Sequence, residues 1–148
     1  MKSAKLRLVL AAAAFAAWIA FLFYLAFTTR NPVVLARPQF LAATLDAIVE
    51  IDNPSALQVK VLEVHWPEKE RELVGQTISI ANLAECDGWK GPGSYIVPLV
   101  RQGKDTYLVA ATPRSPGFDP RSTGYKPRIY PATPEARRQL EEIYRPEK

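Results

Sequence analysis

An apolar run over residues 8–27 constrains this chain more than any other feature, because its 20 residues include no charge and no proline. A helix of that length spans about 30 Å, the thickness of the hydrocarbon core of a bilayer. We therefore predict a transmembrane anchor over residues 8–29 that contacts membrane lipid. A basic cytoplasmic tail over residues 1–7 precedes it.

The residues that flank the apolar run indicate its orientation. Lys2, Lys5 and Arg7 lie directly before the run, and Arg30 follows it. A very short basic tail favours a cytoplasmic N-terminus, so we predict a single-pass protein whose C-terminal domain is extracytoplasmic, in the periplasm or at the cell surface. A cleaved signal peptide is the alternative, but such a peptide has a shorter apolar region that ends in small residues. The bulky residues 23–27 favour an uncleaved signal anchor.

Charge is distributed unevenly along the rest of the chain. Residues 39–111 contain 6 basic and 10 acidic side chains, whereas residues 112–138 contain 6 basic and 2 acidic ones. We expect the basic, proline-rich segment 113–132 to wrap its own domain; an anionic lipid surface or an acidic partner is the alternative. A nucleic-acid partner is not expected, because the folded body lacks a dominant basic patch. Four apolar side chains in the segment favour packing: Phe118, Tyr125, Ile129 and Tyr130.

Five segments after a linker over residues 30–41 have the alternation or the β-branched composition of strands. In the second of them the apolar side changes between Val61 and Leu62, which indicates a bend or bulge that carries the strand from one side of a core to another. Gly103 indicates a hairpin before the last strand and suits a positive φ there. We predict an all-β domain over residues 42–112, a small five-stranded antiparallel OB-like barrel. The predicted strands are 44–51, 56–66, 76–82, 94–100 and 105–112.

An amphipathic helix is predicted over residues 133–145. Thr133 can cap its N-terminus, Pro134 suits the first helical position and Glu135 complements the helix dipole. We expect its apolar stripe to pack on the barrel. The stripe consists of Ala136, Leu140 and Ile143.

Apolar spacing and glycine placement over residues 42–112 carry a resemblance to a known fold family. The pattern resembles OB-fold modules of the netrin-like and tissue-inhibitor-of-metalloproteinase type, and small membrane-anchored proteins of unknown function from bacteria such as planctomycetes. The resemblance implies an OB-like barrel. It does not imply zinc coordination by an N-terminal cysteine, since Cys86 is the one cysteine. The matching residues are 61–64, Gly75, 78–80, Gly88, Trp89, Gly93, 95–97 and 107–109.

Candidate chemistry centres on His65, the one histidine of the chain. A zinc site needs three or four ligands, and Glu63, His65 and Cys86 are the available set. A hydrolytic site would pair His65 with Cys86, Ser79 or Ser94. No spacing motif supports either arrangement, so we predict no enzyme, no metal and no cofactor. A metal-binding protein or enzyme that depends on His65 is kept as the alternative.

The combination of an anchor with a small β domain predicts a membrane-tethered protein-interaction module or accessory subunit that is not catalytic. An aromatic side chain on a glycine-rich loop is a common contact site, so Trp89, Lys90 and Gly91 are the predicted partner-binding residues. Trp89 could instead fill the end of the barrel. Binding of a small ligand at the barrel mouth is a further alternative.

Overall fold

A computed structural model describes residues 2–28, 33–113 and 126–145, and describes side chains from Ala4 onward. The chain forms two units, Met1–Pro32 and Val33–Lys148. The predicted wrapping residues Phe118 and Tyr125 lie outside the described residues.

The first unit contains one long helix, α1 (Lys2–Thr28). Its segment Ala4–Thr28 has a mean hydropathy of 2.4, and its side chains are exposed. Within the described residues this is the one helix whose length and composition suit a membrane span; a signal sequence has the same properties. The helix begins before residue 8 and includes Lys5 and Arg7, so the predicted tail is helical from residue 2.

The second unit contains a closed ring of five strands. Strand β1 pairs with both β2 and β4, β2 pairs with β3, β3 with β5, and β5 with β4. The pair β3–β5 is parallel and the others are antiparallel, so the prediction of a purely antiparallel barrel is wrong. The physical reason is parity, because strand direction cannot alternate around a closed ring of five. The strands are β1 (Leu45–Ile51), β2 (Gln58–Trp66), β3 (Thr77–Ile80), β4 (Gly93–Arg101) and β5 (Thr106–Val109).

Each of these strands lies within or close to a predicted segment, because short runs rich in β-branched and aromatic residues suit a pleated, half-buried surface. The predicted hairpin between β4 and β5 is confirmed by hydrogen bonds from the amides of Gln102 and Gly103 to the carbonyl of Thr106, at 2.9 and 3.1 Å. The conformation predicted for its glycine is wrong, since the glycines with positive φ are elsewhere. One strand was not predicted, the two-residue β6 (Tyr130–Pro131), which pairs with β4.

Strand β2 is bulged, as predicted. Its register against β1 shifts twice, because Ile48 pairs with Glu63 while Val49 pairs with Val61, and a second shift follows near Trp66. The predicted exchange of faces is wrong, however. The extra residue between Val61 and Glu63 shifts the alternation of side chains by one position. Val64 therefore lies in the barrel core together with Val59 and Val61. This core receives a fully buried or nearly buried side chain from every strand of the ring: Val49, Val61, Ile80, Val97 and Val109.

A second core lies on the outer face of the sheet, where β1 and β4 are covered by the chain segment that precedes β1 and by the segment that follows β5. The prediction of a linker over residues 30–41 is therefore wrong for residues 33–41, which include the short helix α2 (Arg37–Leu41) and pack into this core. The helix α3 (Pro134–Ile143) packs there too, as predicted, with the Thr133 hydroxyl accepting a hydrogen bond from the Ala136 amide at 3.2 Å. The buried members are Leu35, Phe40, Ile48, Ile96, Tyr130, Ala136 and Leu140.

Candidate functional site

An open cleft of about 470 Å³ lies at one end of the barrel. It forms where β1 begins and where β2 and β4 end. Its walls are mostly apolar, and its charged side chains lie at three positions. The lining residues are Ala43, Thr44, Leu45, Trp66, Pro67, Lys69, Glu70, Arg101 and Tyr107.

The segment after β2 shapes one wall of this cleft. Residues Glu68–Leu73 form a 3₁₀ helix, and Leu73 anchors that helix in the barrel core. Arg71 and Glu68 form an ion pair at 3.0 Å on its solvent side. Because the anchor fixes the helix against the barrel, Lys69 and Glu70 are held at the mouth of the cleft.

Arg101, the last residue of β4, also lines the cleft. Its guanidinium lies 5.8 Å from the ring centroid of Tyr107 and 3.6 Å from a carboxylate oxygen of Glu70. Its backbone amide donates to the hydroxyl of Thr44 at 3.1 Å. The ion pair is half exposed and adds little to stability, so Arg101 can exchange Glu70 for another anion at little cost.

Trp66 is the aromatic side chain that this cleft exposes, with 41% of its surface accessible. Its indole stacks on the ring of Tyr144, with centroids 5.7 Å apart and planes inclined by 7°. His65 contacts the same tyrosine, at 5.8 Å between ring centroids. Stacking fixes the indole orientation, so the wall of the cleft is preformed.

Asp46 lies beneath Tyr144 and is fully buried. Tyr144 donates a hydrogen bond to Asp46 Oδ2, while Asp46 Oδ1 has no partner among the described residues. Burial raises the pKa of Asp46 to about 7, against the lowering effect of that hydrogen bond. Burial and the neighbouring carboxyl also raise the pKa of Tyr144.

Sequence reasoning missed both of these residues. Alternation along β1 places Asp46 on the outer side with Glu50, which is the polar side of a half-buried strand. Glu50 is exposed, but Tyr144, the residue that follows α3, covers Asp46. Ile48, an apolar residue on the same outer side, indicates that part of this side is covered, but no local pattern identifies Tyr144 as the cover of Asp46.

The residues of the predicted metal alternative do not come together. No group of three or more metal-ligating side chains occurs within residues 2–28, 33–113 and 126–145. Glu63 is paired instead with Arg137 at 2.7 Å. Cys86 packs against the barrel core and its thiol donates to the carbonyl of Asn82 at 3.2 Å. Burial, helped by the neighbouring acidic residues, raises the pKa of Cys86 to about 12, so its thiol is a poor nucleophile at neutral pH.

The serines proposed as partners of His65 lie along other parts of the sheet. Ser79 pairs with Gln58, at the opposite end of β2 from His65. Ser94 pairs with Glu50, near the C-terminal end of β1. The residues next to His65 on β2 pair instead with the N-terminal end of β1, at Asp46 and Ala47. At about 3.3 Å per residue along a strand, the register separates both serines from His65 by well over hydrogen-bonding distance.

The predicted contact loop lies toward the other end of β4 from the cleft. Trp89 is 41% exposed, so it does not fill the end of the barrel. The loop is held by Tyr95, whose hydroxyl accepts from the amide of Lys90 at 2.9 Å and donates to the carbonyl of Gly91 at 2.6 Å. The loop thus presents an ordered aromatic side chain, and its role in partner binding stays a prediction.

Comparison of the chain with protein-family models, with curated proteins and with solved structures finds no match.

Proposed function

We propose that this chain is a membrane-tethered, non-catalytic interaction module that binds an apolar side chain of a partner protein in the cleft beside Trp66. The observation that carries the proposal is a half-exposed tryptophan held rigidly at the wall of an apolar cleft. Tryptophan and arginine dominate the energetics of protein interfaces, and Trp66 and Arg101 face the same cleft. Preformed walls reduce the entropy lost on binding.

The architecture supports the same proposal. The ring order β1-β2-β3-β5-β4, with β3 and β5 parallel, suits an OB-type barrel, the fold of the netrin-like modules that the sequence pattern resembles. We further propose that α1 stays in the membrane with its N-terminus in the cytoplasm and the barrel on the extracytoplasmic side.

Charge at the cleft mouth specifies the partner further. Lys69 and Arg101 contribute two positive charges, and Glu70 contributes one negative charge that is already paired with Arg101. The mouth therefore has an excess of one positive charge. An apolar side chain next to an acidic residue complements this arrangement, because the acidic residue can contact Arg101 in place of Glu70 while the apolar one fills the cleft.

Site-specific photocrosslinking in native membranes tests the proposal. A photoreactive phenylalanine at position 69, in the full chain, is expected to crosslink a partner, and Trp66→Ala is expected to reduce that crosslink at least tenfold. The same probe at Lys60, exposed on β2 and outside the cleft, is the matched control. Trp89→Ala distinguishes the two aromatic sites. A position-69 crosslink that survives Trp66→Ala, or that depends on Trp89 alone, contradicts the proposal.

A second candidate function is binding of a small apolar ligand in the same cleft, which the cavity volume favours. Pockets for small molecules have volumes of about 300–1,000 Å³, and this cleft lies within that range. Native mass spectrometry of the full chain extracted in a mild detergent would detect a copurifying small molecule. Its loss in Trp66→Ala, without any crosslinked protein at position 69, would favour this function over the first.

A further inference from the structure

Among the described residues of the barrel unit, one buried carboxyl, that of Asp46, has an oxygen without a hydrogen-bond partner. Asp46 lies on the outer side of β1, where its cross-strand neighbours are Trp66 on β2 and Pro98 on β4. Its Oδ2 accepts a hydrogen bond from Tyr144, and its Oδ1 accepts none from any described residue. Buried polar atoms are nearly always satisfied, so an orphaned carboxyl oxygen calls for a functional reason.

The groups that face this carboxyl do not neutralise it. β2 contributes His65, whose ring contacts Tyr144, and β4 contributes Pro98, which has no titratable group. α2 contributes the carbonyl of Phe40, an uncharged group whose oxygen lies 3.3 Å from the Tyr144 hydroxyl. Farther along the same side, Glu63 of β2 and Arg137 of α3 neutralise each other at 2.7 Å. Burial therefore dominates, and it places the pKa of Asp46 at about 7.

Tyr144 is the lid over this site. It follows the last residue of α3, and its contacts converge on one place, with its hydroxyl on Asp46 and its ring on Trp66 and His65. If the ring moves away, the hydrogen bond, the stack on Trp66 and the cover over the carboxyl are lost together. The structure thus couples the hydration of Asp46 to the support of Trp66.

We propose that Tyr144 is a pH-dependent latch, which closes over Asp46 while that carboxyl is protonated and detaches from both Asp46 and Trp66 when the carboxyl ionises.

The sign of the effect follows from proton linkage. The closed form binds the Asp46 proton more tightly than an open, hydrated form, whose pKa is near the ordinary 3.8. Raising the pH therefore favours the open form, by about tenfold per pH unit between the two pKa values. The closed form has its full advantage below about pH 4 and loses it progressively up to about pH 7, beyond which the ratio is constant.

The latch also has a consequence for the cleft, and this part rests on the proposed function. Trp66 belongs both to the stack with Tyr144 and to the wall of the cleft. An open latch leaves the indole without its stacking partner, so partner binding is expected to weaken as the pH rises from 6 to 8. The binding module would accordingly retain its partner in acidic surroundings and release it in alkaline ones.

The latch itself is tested without any partner, using the full chain in detergent micelles. Fluorotryptophan labelling gives a ¹⁹F resonance for Trp66, assigned with the variants Trp18→Phe and Trp89→Phe. We expect this resonance to move from a stacked to an unstacked position between pH 5 and 8. Asp46→Asn, which keeps the hydrogen-bond acceptor and cannot ionise, should remain stacked throughout, whereas Tyr144→Ala should be unstacked at every pH.

Two matched controls exclude other titrations. Glu50→Gln removes an exposed carboxyl on the same outer side of β1 and should keep the transition. His65→Gln should keep a pH-dependent transition as well, with a midpoint shifted by the loss of its ring contact with Tyr144. A transition that persists in Asp46→Asn overturns the latch. So does a wild-type Asp46 ¹³C carboxyl titration with its midpoint below pH 5, a measurement that needs no substitution.

A separate arm tests the link to the cleft. The position-69 crosslink in native membranes is expected to fall about threefold from pH 6 to pH 8 in the wild-type background, because the ratio of open to closed form rises about tenfold over that range, and to stay constant with Asp46→Asn. If Trp66 unstacks but the crosslink does not change, the latch stands and its coupling to the cleft is refuted. If no crosslink forms at either pH, the proposed function fails while the ¹⁹F result still decides the latch.

Discussion

The hydroxyl of Tyr130 donates a hydrogen bond to Gln39 Oε1 over 2.7 Å, and both side chains are buried. The amide nitrogen of Gln39 donates in turn to the carbonyls of Ala110 and Arg128, at 2.8 and 2.9 Å. The Gln39 side chain of α2 therefore joins Ala110, which follows β5, to Arg128, two residues before β6, and to Tyr130, the first residue of β6. Residues 33–41 are part of the fold because of this link and the apolar contacts around it.

Removal of the Gln39 side chain should be strongly destabilising. Gln39→Ala leaves two carbonyls and a tyrosine hydroxyl without their partner in a buried place, and we expect a loss of about 3 kcal/mol in the free energy of unfolding. Urea unfolding of the full chain in detergent micelles measures it. Gln58→Ala, at an exposed position of β2, is the control and should change stability by less than about 0.5 kcal/mol. Equal losses in the two variants would show that Gln39 does not join these segments.

Two glycines in the loop that carries Trp89 allow a test of how closely this loop packs against the segment before β6. Gly88 has a φ of +100°, and a Cβ there would overlap the carbonyl oxygen of Ile129, whereas Gly91 has a φ of +121° and open space around it. We expect Gly91→Ala to cost about 1–2 kcal/mol from backbone strain alone. Gly88→Ala should cost more, about 3 kcal/mol or above, since the backbone must also move.

Thermal unfolding of the two glycine variants, each as the full chain in micelles, separates strain from collision. The comparison is matched because both positions require positive φ and only one meets a backbone atom. If the two alanine variants lose the same stability, the close approach of residues 88 and 129 is refuted. The contact between this loop and the segment before β6 would then have to be looser.

The strands were predictable from sequence because their signal is local. Alternation with period two and β-branched composition identify each strand of the ring from fewer than a dozen residues. The parallel β3–β5 pair was not predicted, since it depends on closure of the ring and not on either strand alone. In β2, a change of apolar side between Val61 and Leu62 has two interpretations, an exchange of faces or a bulge. The partner strand β1 decides between them.

The second core was missed for a related reason. Leu35 and Phe40 lie among prolines in a segment too short to show a helical period, so the sequence before β1 resembles a linker. Asp46 was not recognised as buried, because alternation gives the side of a strand and not what covers that side. Its cover comes from Tyr144, 98 positions later. The latch site is therefore a product of tertiary packing that neither local pattern contains.

Truncation of the α3 stripe should weaken this second core. Leu140 is 1% exposed and packs in the cluster with Ile48 and Ile96, so Leu140→Ala is expected to cost about 3 kcal/mol from lost apolar burial and the cavity left behind. Arg138→Ala on the solvent side of the same helix is the control, with a change below about 0.5 kcal/mol. Differential scanning calorimetry of the full chain in micelles measures both. A stability loss confined to Arg138→Ala would contradict the assigned faces of α3.

The proposed orientation of the anchor can be tested by thiol labelling of intact cells, because the native cysteine, Cys86, is expected to give little labelling of its own. Burial and its acidic neighbours raise the pKa of Cys86 to about 12, so its thiolate is scarce at pH 7.5 and the native chain should label slowly with a membrane-impermeant maleimide. Ser55 lies exposed in the turn Pro54–Ala56, where its amide rather than its hydroxyl bonds to the Asn53 side chain. Ser55→Cys therefore keeps the turn and should label rapidly in intact cells.

Ser3→Cys, on the other side of the apolar run, is the matched control for orientation. It should label only after the membrane is permeabilised, because the positive charges near it favour the cytoplasm. The reverse result, with position 3 labelled in intact cells and position 55 protected, would invert the proposed topology. Labelling of both in unbroken cells would mean that the N-terminus is exported as well, and then α1 could not cross the bilayer once.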